Sequence, residues 1–106
     1  MKKIIATLTS LLLFTPLSSY AEESKKIDPT EVCSTFEELA GLIMEHRQLG
    51  TPMSKIMKVS GSDEIGRKIV VDAYERSRFS TESYQKKSIE NFKNEWFLSC
   101  FKELSK

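Results

Sequence analysis

The sequence predicts an all-α protein, a small irregular four-helix array closed by one disulfide. Apolar residues recur at helical spacing in segments punctuated by cap residues and glycines, and two cysteines bracket that region at positions 33 and 100. The strand-like run Ile69, Val70, Val71 has no second strand-like segment nearby to pair with, which leaves the helical assignment as the stronger one.

In chain order, Met1, Lys2 and Lys3 form a positive start, Ile4 to Phe14 an apolar run, and Ser19 with Ala21 a small-x-small cleavage pattern after Pro16 and Ser18. The run falls short of the roughly 20 apolar residues a membrane span needs. Residues 1–21 are therefore predicted to be a cleaved signal peptide. Glu22 stands where a lipid-modified cysteine would be required, so no lipid anchor is expected, nor a membrane anchor later in the mature chain. A periplasmic or secreted protein follows.

Cleavage leaves 85 residues, enough for one modest core. Residues 22–27 are charged and read as a flexible lead-in, and residues 28–106 as a single helical domain. Without Lys2 and Lys3, 14 Lys and Arg face 15 Asp and Glu. That balance provides no clustered positive charge for nucleic acid, which is not an expected partner.

An even cysteine count in an oxidising compartment points to a Cys33 to Cys100 disulfide. Closing a loop of roughly 68 residues contributes about 4 kcal/mol in the chain-entropy model. No C-x-x-C pair supports a redox role.

Asp28, Pro29 and Glu31 start the first helix as cap, first-turn proline and capping-box acid. Val32, Phe36, Leu39 and Ile43 carry its stripe to Leu49, and Gly50 suits the left-handed position beyond its end. Thr51 as cap and Pro52 open a short second helix with a Met53, Ile56, Met57 face, ending before Gly61. Ser62, Asp63 and Glu64 open a third, with Ile65, Ile69, Val70 and Ala73 as its stripe and Gly66 as a weak point in its first turn. Ser80 followed by Thr81 and Glu82 caps a long last helix to about Leu104, with Tyr84, Ile89, Phe92, Trp96, Cys100 and Leu104 on one stripe and Phe97 and Phe101 widening it. With Cys33 near the start of the first helix and Cys100 near the end of the last, those two helices are predicted to be antiparallel.

The chemistry-bearing residues are few. His46 is the one histidine, and Glu45 beside it diverges by about 100° on a helix, so the two make no ready acid and base pair. His46 reads as a solvated residue near a helix C-terminus. No zinc, calcium or phosphate-loop motif occurs, so no metal and no cofactor are predicted, and no enzymatic activity is expected.

Two interaction surfaces stand out. The Met53, Ile56, Met57 face is either core filling or a recognition groove. The turn carrying Arg76, Arg78 and Phe79 is either a partner-binding loop, since arginine and aromatic residues are enriched at hot spots, or a charged turn with Phe79 stapling the last helix.

The stretch Ile43 to Met57, with Met44, Arg47, Gln48, Gly50 and Met53, together with Ala73, Tyr74, Glu75 and Arg78 to Thr81, resembles uncharacterised small exported proteins of bacteria and their prophages. In size and layout the chain also resembles the periplasmic acid-stress chaperones of the Hde type, small helical proteins closed by one disulfide. The first expectation is a non-enzymatic binding protein of the envelope, an inhibitor or immunity-type factor acting on a cell-envelope enzyme. The second is an acid-stress chaperone, since protonating 15 acidic groups leaves a strongly positive chain. A small hydrolase is the third.

Overall fold

The computed structural model describes residues 27–106; the expected signal peptide and residues 22–26 of the expected lead-in lie outside the described residues. Four helices follow in order: α1 (Pro29–Leu49), α2 (Met53–Ser60), α3 (Glu64–Tyr74) and α4 (Glu82–Leu104). No strand occurs among the described residues.

The boundaries of α1 follow the chemistry of its ends. Asp28 accepts the N–H of Thr30 at 3.1 Å, and Pro29 fills the first position, where no donor is needed. Gly50 adopts φ +88°, a conformation that costs a side chain dearly, and the N–H groups of Gly50 and Thr51 return to the carbonyls of Arg47 and His46. The expected Thr51 cap of α2 does not form. Its hydroxyl lies 3.1 Å from His46 Nδ1, and Pro52 becomes the residue before α2, without a side-chain cap.

Of Ser62, Asp63 and Glu64, the three residues expected to open α3, Asp63 is the cap, accepting the Gly66 N–H at 2.7 Å. Gly66 is more than a weak point. A β-carbon there would stand 1.8 Å from the Ser60 carbonyl oxygen, so glycine is what lets the first turn of α3 close onto the end of α2. At α4, Thr81 and not Ser80 is the N-cap, and its side chain makes no capping bond.

Cys33 is bonded to Cys100, with Cα atoms 5.6 Å apart. Gly41 abuts Lys93, and Glu45 and Ile89 border one depression between the two helices. The register descends along α4 as it ascends along α1, so the pair is antiparallel. α3 packs on α1 and α2, while α4 packs chiefly on α1. Ala40, Ile43 and Met44 of α1 meet Ile56, Ile69, Val70, Ala73 and Phe92 in one core.

The apolar stripe of α4 is buried only along its middle. Phe92 and Cys100 are buried, Ile89 and Trp96 partly so, whereas Tyr84 and Leu104 are exposed. Register explains both exceptions: Tyr84 is level with Gly50, where α1 has ended, and Leu104 is level with its first turn.

Candidate functional site

The segment between α3 and α4 has no regular structure, yet its backbone is held in place by side chains from two helices. Gln48, 2% exposed in the last turn of α1, donates from Nε2 to the Ser77 carbonyl at 2.9 Å and accepts the Phe79 N–H on Oε1 at 2.8 Å. Arg47 donates from both Nε (3.0 Å) and Nη2 (2.8 Å) to the Arg76 carbonyl. Gln85 of α4 donates to the Phe79 carbonyl at 2.6 Å. In return, Arg78 Nε donates to the Gln48 carbonyl at 3.0 Å, satisfying one of the acceptors that a helix C-terminus leaves open.

Arg76 faces the other way and joins α3 to α4. Its guanidinium bonds both carboxylate oxygens of Asp72, at 3.1 and 3.2 Å, and Glu95 Oε1 at 2.8 Å. It also lies 4.9 Å from the centre of the Phe92 ring, a cation over an aromatic face. Trp96 adds an indole N–H bond to Asp72 Oδ2 at 3.0 Å. The hydrogen bond to Glu95, helped by Asp72 and opposed by partial desolvation, holds the Arg76 pKa above its ordinary value. The cation is permanent, and carboxylates and an aromatic face surround it.

Tyr74 ties the same end together. Its hydroxyl donates to the Thr51 carbonyl at 2.7 Å, and the Arg47 guanidinium carbon stands 5.3 Å from its ring centre. Burial raises the phenol pKa, and the nearby Arg47 charge works against that shift.

On the solvent side, the loop and α4 enclose a cleft of about 260 Å³. Phe79 (38% exposed) and Tyr84 (57% exposed) form one wall, with ring centres 5.8 Å apart. Lys87, Ser88, Asn91 and Glu95 follow along α4, and Arg76 and Ser77 close the loop side. Of the three residues singled out in the sequence, Arg76 and Phe79 line this cleft together. Arg78 lies apart, bonded to Gln48 and bordering a separate depression with Phe79, Ser80 and Gln85.

Tyr84, Lys87, Ser88 and Asn91 are site residues that sequence reasoning missed. Their positions recur at the three- and four-residue spacing of one helical face, and that stripe begins where the arginine-aromatic turn ends. The surface offers aromatic contact, one lysine and several hydrogen-bonding groups.

His46 lies elsewhere, bordering a groove between α1 and α2, while Glu45 borders the depression facing α4, so the two diverge as helical geometry requires. Among the described residues, no group of three or more His, Cys, Asp or Glu is placed to hold a metal ion, and no helix is long and apolar enough to cross a membrane. No protein-family model, curated protein or solved structure matches the chain.

Proposed function

We propose that the protein is a non-enzymatic binding protein of the bacterial envelope, exported to the periplasm or beyond, and that it inhibits a cell-envelope enzyme by docking through the loop before α4. The observation that carries this reading is the contrast between the two sides of that loop. Its inner side is fixed by Gln48, Arg47 and Gln85, while Phe79, Tyr84 and Lys87 border an open cleft. A surface already ordered before it meets a partner loses little conformational freedom on binding, and aromatic anchors supply most of the contact energy. The disulfide supports the exported location, because such bonds persist in oxidising compartments.

The test is inhibition of peptidoglycan hydrolysis by envelope extracts, comparing the wild type with Phe79→Asp and Lys87→Glu. Inhibition lost in both variants but kept in Leu98→Asp, an exposed change on α4, supports the reading. Absence of inhibition by the wild type, or equal inhibition by all four proteins, contradicts it.

A second reading, an acid-stress chaperone, draws on the carboxylates of Asp72 and Glu95. Protonating them removes both ionic partners through which Arg76 joins α3 to α4 over Phe92. Protection of a client from aggregation at about pH 3 but not at pH 7 favours that alternative.

A further inference from the structure

The groove between α1 and α2 is a separate feature. It has a volume of about 340 Å³ and shares no lining residue with the loop cleft. Its floor is Ile43 and Ile56, and Leu42 (57% exposed) and Val59 (76% exposed) stand on its lips. The apolar face of α2 noticed in the sequence is thus divided: Ile56 serves this groove, while Met57 turns towards α3.

The groove is polarised. His46, Thr51 and Lys55 lie at the end nearest the α1 to α2 turn and bring its one cationic side chain with them, and Leu39 and Val59, with the uncharged Ser60, lie at the other. His46 Nδ1 is engaged with Thr51, whereas Nε2 has no hydrogen-bond partner among the described residues. Lys55 forms no ion pair among them, and no carboxylate lines the groove.

We propose that this groove binds a free medium-chain aliphatic carboxylate, its head at Lys55 and His46 and its chain running between Leu42 and Val59 towards Leu39. Charge complementarity selects the anionic head. The track from His46 to Leu39 is roughly 10 Å at 1.5 Å rise per residue, enough for an extended chain of about eight carbons. The aliphatic tail is favoured over a peptide on hydrogen-bonding grounds. The α1 wall, from Leu39 to His46, is helix whose backbone groups are already paired, so an extended peptide laid along it would leave its own N–H and C=O groups on that side without partners.

The test is titration of the full-length oxidised protein with decanoate at pH 7, below its micellar concentration, followed by NMR of the Leu42, Ile56 and Val59 methyl groups. Saturable shifts are expected, with affinity falling about two- to fourfold for each methylene removed from the chain. Lys55→Glu should weaken binding at least fivefold. Val59→Asp, at a site exposed enough to leave the melting temperature unchanged, should abolish it, whereas Val71→Asp on α3 should not. Non-saturating shifts, equal binding of decyltrimethylammonium, or binding to phosphatidylglycerol vesicles without binding of monomeric decanoate would each overturn the proposal.

Discussion

The side-chain oxygen of Gln48 accepts the backbone N–H of Phe79 at 2.8 Å, across 31 residues of sequence, while its amide nitrogen holds the Ser77 carbonyl. One buried amide thereby satisfies two backbone groups of a segment that has no ladder or helix to satisfy them. The disulfide fastens one end of the α1 and α4 pair, and this knot fastens the other.

Replacing Gln48 with leucine keeps the bulk but strands the Phe79 N–H and the Ser77 carbonyl. Each stranded group costs about 1 to 3 kcal/mol, and in a domain this size a loss of about 3 kcal/mol lowers the melting temperature by more than about 10 °C. Thermal unfolding followed by circular dichroism measures it.

Gly66→Ala separates local propensity from packing. Helix propensity alone favours alanine by about 1 kcal/mol. The 1.8 Å approach of the new β-carbon to the Ser60 carbonyl reverses that sign, so the variant should be destabilised by about 2 kcal/mol or more. A melting temperature at or above the wild-type value would refute the close-packing account.

The disulfide should contribute about 4 kcal/mol. Cys33→Ser with Cys100→Ser, or reduction of the wild type, should therefore lower the denaturant midpoint markedly. A midpoint indifferent to reductant would show that the core holds without it.

Tyr74 predicts how stability changes at alkaline pH. Its pKa is raised by burial in the folded state, so the folded protein holds the phenolic proton more tightly than the unfolded chain does. The resulting stabilisation is fully present below the ordinary tyrosine value of about 10 and is lost as pH rises through the folded value. Tyr74→Phe should flatten this alkaline loss while lowering stability at pH 7, because the bond to the Thr51 carbonyl is gone. Urea titrations at a series of pH values test both halves.

Much of the fold was legible because its signals are local. Asp28, Pro29 and Gly50 mark the ends of α1 through geometry a few residues wide, and Asp63 does so for α3. The cysteine pairing needed only a count and a compartment. The misjudged features depend on residues far away in sequence. Thr51 looked like a cap until His46 claimed its hydroxyl, and Tyr84 and Leu104 looked buried until register placed them level with the ends of α1. Gln48 had a faint signal: it continues the buried series Ala40, Met44 at four-residue spacing, a polar side chain where an apolar one is due. Its partners, 29 and 31 residues on, could not be read from that position. Arg76 and Arg78, adjacent in pattern, point to opposite tasks because one faces the carboxylates of α3 and α4 and the other the end of α1.

The central claim is that the loop before α4 is rigid because α1 holds its backbone. Native-state hydrogen exchange at the Phe79 amide tests it most directly. Bonded to a buried glutamine, that amide should exchange as slowly as those in the core of α1, and should lose its protection in Gln48→Leu. Exchange in the wild type at the rate of an unstructured peptide would contradict the account.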